Sequence, residues 1–287
     1  MQSNNPVFRR SEAFNGASTN AYGNQTYPGN GATHQGYGQG VGYDQQQGAA
    51  PTTTGRPMTI DSVVQKTAIS LGVVIVFATL TWWYIGDIRP NAADVERNTS
   101  ILYAALMIGS LGAFGLSMVN SFKRVVSPAL VIAFCALEGV ALGALSKFFD
   151  AYFGDGIVTQ AVIGTFAAFA GTLAAYKFFN IQVGNKFRTF VIAAMFGMVG
   201  LGLLEMVLGA FGNQLGLFGF GSLGLLFAIA GLVLGVFMLI LDFDFVEQGV
   251  AAGIDERESW RAAFALTVSL VWIYTNLLRI LAIFSQE

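Results

Sequence analysis

Charge is scarce in this sequence. Only 11% of its 287 residues are Asp, Glu, Lys or Arg, less than half of the roughly 25% of an ordinary soluble domain, and a chain so poor in charge is suited to lipid. Cysteine is reduced to one, Cys135, inside an apolar run. A lone thiol excludes an intrachain disulfide and any cysteine-built metal site. The one histidine, His34, lies in a polar N-terminal stretch, which excludes a histidine proton relay and an HExxH zinc protease. No GxSxG motif, paired GxGD-type aspartates or phosphate-binding glycine loop of the GxxxxGK[ST] type is present, so neither an intramembrane enzyme nor an ATP-driven pump is expected. No resident cofactor is expected either. The net charge of −2, with basic residues at the ends of apolar runs and not in patches, argues against nucleic-acid partners.

Two regions differ sharply in composition. Residues 1–57, as in NAYGNQTYPGNGATHQGYGQGVGYDQQQ, are rich in Gly, Asn, Gln and Tyr and have almost no aliphatic side chains to bury, which predicts a disordered cytoplasmic tail. The first apolar run begins only near Ala68, too late for a signal peptide. Residues 58–287 are predicted to form an all-α, seven-helix transmembrane bundle, with spans near 65–86, 99–121, 129–149, 157–179, 188–211, 222–245 and 262–284. Each is long enough, at 1.5 Å per residue, to cross a roughly 30 Å hydrocarbon core, and polar hinges such as GDIRPNAADVERN separate them.

Counting Lys and Arg near the span ends orients the bundle, because cytoplasmic loops retain positive charge. With the N-terminus inside, the inner side holds Arg56, Lys66, Lys123, Arg124, Lys177, Lys186, Arg188, Arg257 and Arg261, while the outer side keeps Arg89, Arg97 and Lys147. The expectation is a multi-pass plasma-membrane protein with its N-terminus in the cytoplasm and its C-terminus outside. Glycines at close-packing spacing, among them Gly109, Gly112, Gly115, Gly139, Gly143, Gly197, Gly200, Gly231 and Gly235, are predicted to bring helices together, since in lipid van der Waals contact replaces the hydrophobic effect. Trp82, Trp83, Tyr84 and Trp260 read as interfacial anchors.

Ionisable residues within such spans are functional candidates, because a carboxylate at a helix centre costs about 3 kcal/mol to insert. Glu138 sits in FCALEGVALGA, about 13 Å from the inner end of span three. Glu205 in span five and Arg279 in span seven both fall in the outer half and read as a structural ion pair. Asp242 and Asp244 close span six near the inner surface. They lie about 200° apart around a helix, so one of them looks into the bundle. Asp242 is the deeper, and Asp244 reads equally as a solvated cap. A buried carboxyl without a counter-charge favours its neutral form, and two that share a site hold one proton between them. Such a group is a pH-sensitive latch that, once ionised, repels its neighbour or accepts a cation through oxygen ligands, as calcium prefers. Ser269 and Asn276 share one face of span seven and offer it neutral polar groups, or simply bond other helices.

The run SPALVIAFCALEGVALGALS at 127–146, the LDFDFVEQG end of span six, the closing VWIYTNLLRILAIF at 271–284 and the NPVFRR opening of the tail together resemble the Bax inhibitor family, also called the YccA-like or transmembrane Bax inhibitor motif family, in its actinobacterial form. The resemblance covers about residues 58–284. It implies seven helices and, in bacterial members, a pH-sensitive calcium leak governed by two aspartates on the sixth and seventh helices. Asp242 matches the first. The second position falls on Ser269, and span two holds no equivalent of the arginine that members place in their second helix.

Two functions are expected in turn. One is a slow calcium or other cation leak, with Asp242, Glu138, Ser269 and Asp244 as ion path and pH latch, Asp242 and Glu138 touching the ion. The other is a regulator or substrate of a membrane-anchored ATP-dependent protease, without transport, whose handle is the tail, as the resemblance to YccA-type members implies. Deleting residues 1–55 separates the two.

Overall fold

Backbone amides and carbonyls find no water in hydrocarbon, so an apolar run of this length satisfies them internally as a helix. In the computed structural model, which describes residues 56–89, 94–154 and 156–286, seven helices form from the seven runs: α1 (Ile60–Ile85), α2 (Val95–Phe122), α3 (Pro128–Phe153), α4 (Ile157–Phe178), α5 (Asn185–Ala210), α6 (Ser222–Ala251) and α7 (Ser259–Phe284). All seven are long and apolar enough to cross a membrane. Local sequence marks several ends. Thr59 and Ser62 form a reciprocal capping box at the start of α1, and Pro128 occupies the first turn of α3, where its missing N–H costs nothing. Gly154 and Gly156 adopt φ of 112° and 95° in the α3–α4 turn, a region that side chains with a Cβ rarely enter. The tail expected at 1–57 lies outside the described residues, except Arg56 and Pro57.

α6 departs most from the expectation. It continues to Ala251, well past the apolar run that ends near residue 245, and therefore carries Asp242, Asp244 and Glu247 on a helix and not at a loop margin.

α3 and α7 form the middle of the bundle. In their most apolar 18-residue stretches, 50% and 56% of the residues are buried, against 17% in α1, α2 and α5, whose outer faces are left to lipid. A Cβ on Gly139 or Gly143 would meet the main chain of α1 at Val74 or Ala78, and one on Gly109 would meet α3 at Ala141. These glycines set the α1–α3 and α2–α3 spacing. Gly231 and Gly235 do the same between α6 and α7, against Asn276 and Ile273. Gly115, Gly197 and Gly200 have nothing within 4 Å; they are not packing glycines, because their faces of α2 and α5 look outward. Trp83 and Tyr84 are exposed as anchors should be, but Trp82 turns in beneath the Lys147 ammonium, 4.8 Å from its ring centre.

The chain alternates direction, so the α2–α3, α4–α5 and α6–α7 turns share one end of the bundle with the start of α1. There the Met58 amide donates to the Ile254 carbonyl at 2.7 Å, Pro57 bridges Asp255, Lys66 pairs with Glu256 at 3.2 Å, and the Ser62 and Ser259 hydroxyls lie 2.7 Å apart. The start of α1 is thus strapped to the α6–α7 turn.

Candidate functional site

Consecutive residues of α6 face three different neighbours, because each step around a helix is about 100°. Asp242 faces α7, where the Ser269 hydroxyl donates to its Oδ2 at 2.6 Å. Phe243 faces α4, packing edge-on against Phe169 and beside Tyr176. Asp244 faces α5, where the Arg188 guanidinium donates to its Oδ2 at 2.7 Å and the Gln248 amide adds a bond at 2.8 Å. Asp244 is therefore not a solvated cap. It is buried and neutralised by an arginine that closes α5 onto α6.

Asp242 has no such partner. Among the described residues it accepts one hydrogen bond, from Ser269, and no basic side chain approaches it. It lies nine residues before the end of α6, about 13 Å along the helix, which is deeper than the inner-surface position expected for it. Ser269 is wholly buried and lies ten residues into α7, at a matching depth of about 15 Å.

Glu138 lies ten residues into α3, again about 15 Å from the same end. The register of α3 on α7 confirms the level. Phe134 packs edge-on against Phe264 with centroids 4.9 Å apart, and Ser146 bonds Tyr274 at 2.6 Å. Glu138, four residues beyond Phe134, is consequently level with the Thr267–Ser269 turn of α7. It is half-buried and has no hydrogen bond or ion pair among the described residues. Three sequence-selected residues, Asp242, Ser269 and Glu138, thus share one depth, and Asn276 lies farther along α7, its side chain donating to the Trp272 carbonyl of its own helix.

Polar groups not singled out in the sequence accompany them. Thr67 on α1 buries its hydroxyl without a hydrogen-bond partner among the described residues, as does the Asn120 side chain near the end of α2, and the buried Ser70 hydroxyl has the Cys135 thiol beside it. Serine and threonine are common helix-packing residues, so only their shared inward face, together with Val63 and Val74, carried a signal. Neither Asp242 nor Glu138 belongs to a group of three or more His, Cys, Asp or Glu able to hold a metal among the described residues.

The expected Glu205–Arg279 ion pair is replaced by a loop held between the two side chains. Glu205 is buried and accepts the amides of Leu215, Gly216 and Leu217 at 2.9, 2.8 and 3.1 Å. Arg279 donates to the Leu217 carbonyl at 2.6 Å and lies over the Phe218 ring. The α5–α6 turn folds back into the bundle end, and its backbone dipoles take the place of direct charge contact.

The family model described as Bax inhibitor 1 like matches residues 5–286. No curated protein matches the chain.

Proposed function

The chain belongs to the Bax inhibitor 1 like family, and on that premise we propose that it passes calcium, or another cation, slowly across the membrane along an interior path built on Asp242 and Glu138. The observation that carries this reading is the Asp242 carboxylate: deep in the α6–α7 interface, it holds, among the described residues, a single hydroxyl donor and no basic side chain. Intramembrane acids ordinarily pair with a base. An acid left with one neutral donor attracts a mobile counter-ion when ionised and a proton when neutral.

Glu138 at the same depth on α3 supplies a second oxygen ligand, and Thr67 and Asn120 add buried polar atoms that no described residue bonds. Buried polar groups of this kind are normally bridged by water, which would let an ion keep part of its hydration. A passing ion then needs few protein ligands, in keeping with a leak and not with storage. The path requires neither an enzymatic step nor a cofactor. The end bearing the α6–α7 turn faces the cytoplasm in this proposal, since Lys66, Arg124, Lys177, Arg188 and Arg261 gather there and positive charge is retained inside.

Calcium flux into proteoliposomes, followed with a trapped indicator across a pH series, tests it. Flux should rise with pH, because only the ionised carboxylate draws a cation, and should fall in Asp242→Asn and in Glu138→Gln. A flux that ignores both pH and Asp242→Asn would eliminate the proposal.

A further inference from the structure

A cleft of about 450 Å³ runs between α1 and α4, with α3 and α7 as its floor. Neither Asp242 nor Glu138 lines it, so its occupancy is independent of the leak. On α1 its wall runs from Leu71 to Trp82, a length of about 16 Å at 1.5 Å per residue. Half of a 30 Å hydrocarbon core, the reach of one leaflet's acyl chains, is about 15 Å. Ile75, Val162 and Phe166 on its edges are exposed, in the part of the bundle that faces hydrocarbon. The cleft therefore opens sideways into the membrane.

Its chemistry is divided along its length. The hydroxyls on its walls are engaged by the protein itself: Ser146 with Tyr274 at 2.6 Å, Thr79 with the Ile75 carbonyl at 2.8 Å, and Thr165 with the Ala161 carbonyl at 2.7 Å. Most of the slot consequently offers a guest hydrocarbon alone. The end at the α3–α4 turn differs. Asp150, in the last turn of α3, reaches the cleft beside Thr159 in the first turn of α4 and Trp82 in the last turn of α1. Asp150 is half-buried and has no ion pair or hydrogen bond among the described residues. Lys147, one turn away, is drawn over the Trp82 ring and forms no salt bridge with it.

We propose that this cleft binds one phospholipid of the adjoining leaflet through a single acyl chain, and selects an amine-bearing headgroup through Asp150. Length, lateral opening and apolar walls specify the chain; a volume of this size also falls in the roughly 300–1,000 Å³ range of small-molecule sites. The charge at the mouth specifies the head. A carboxylate without an ion pair attracts an ammonium, and an anionic headgroup without an amine brings a second negative charge against Asp150. Phosphatidylethanolamine supplies both the acyl chain and the amine.

Native mass spectrometry of the full-length protein, released from detergent with phosphatidylethanolamine or phosphatidylglycerol of identical chains, tests the proposal. The wild-type protein should retain the ethanolamine lipid up to about fivefold better, the upper end of what one partly exposed ion pair supplies. Asp150→Asn should remove that preference and still retain lipid, whereas Val162→Trp, which fills the cleft from its lipid-facing edge, should reduce retention of both. Equal retention of the two lipids by the wild-type protein, or of neither, overturns the proposal without recourse to a variant. Persistence of the preference in Asp150→Asn, or unchanged retention in Val162→Trp, overturns it as well.

Discussion

Ser269→Ala removes a single donor from Asp242 and changes little else. The Ser269 side chain is wholly buried and its hydroxyl lies 2.6 Å from Asp242 Oδ2, so the substitution deletes one oxygen atom without exposing the site. A hydrogen bond to a charged group contributes about 1.5–3 kcal/mol, and each 1.4 kcal/mol is a factor of ten in a rate. If ionised Asp242 is what draws the cation, calcium flux at fixed neutral pH should fall by roughly 10- to 150-fold. Thr267 is the matched control. It is equally buried on the same helix, but its hydroxyl bonds the Ala263 carbonyl one turn back, so Thr267→Val should leave flux near wild type. The assay is indicator-loaded proteoliposomes at equal protein incorporation, with thermal unfolding in detergent to show that both variants stay folded. A folded Ser269→Ala protein that conducts like wild type would refute the role given to this hydrogen bond, and equal losses in both variants would place the effect in packing.

Asp244→Ala should cost about 3–5 kcal/mol, because it leaves the Arg188 guanidinium uncompensated, while the double replacement Arg188→Met/Asp244→Leu should recover most of the loss; melting temperatures of the three proteins decide. Glu205→Ala should free the Leu215, Gly216 and Leu217 amides, and their hydrogen exchange should accelerate at least tenfold if each charge-assisted bond supplies its usual 1.5–3 kcal/mol. Gly139→Val drives a side chain into the Val74 carbonyl and the Phe77 side chain and should destabilise by about 1–3 kcal/mol. Gly197→Val, with nothing within 4 Å, should not, and thermal unfolding of the pair shows whether close helix contact is what sets the difference.

The spans were legible because twenty apolar residues in a row have one stable form in lipid. Helix ends were less so. The polar stretch from Asp242 to Gln248 reads in sequence as a margin, yet six more residues of α6 continue past residue 245 because Arg188, Tyr176 and the α1 strap give those side chains partners. The angle between Asp242 and Asp244 follows from helix geometry alone, whereas the identity of the partner at Arg188, 56 positions away, depends on how α5 docks and leaves no trace in spacing. Glu205 and Arg279 share an expected depth, but only the folded loop reveals that Leu217 lies between them, giving its amide to one and its carbonyl to the other. Packing glycines divide the same way: spacing alone does not separate Gly139, against α1, from Gly197, facing outward.

Most acids deep in the bundle have a fixed partner, and the proposed path rests on two that have no basic one among the described residues. Asp244 has Arg188, Glu256 has Lys66, Glu258 has Arg261, Glu205 has three amides, and Glu247 accepts from the Tyr176 hydroxyl at 2.6 Å. Each of these ties one element to another, as a structural charge in or near lipid must, because an uncompensated ion there is costly. Asp242 and Glu138 lie as deep as any of them and tie nothing to a base, although Lys and Arg side chains were available to pair with other acids of the same bundle. They share one level, and α7 passes both with Ser269 and Thr267. An acid kept for packing alone could be replaced by leucine with a gain in stability. Two kept at one depth, one of them with a single hydroxyl donor and neither with a basic partner among the described residues, are what the proposed cation path requires, and a flux that rises with pH would support a cation competing with protons.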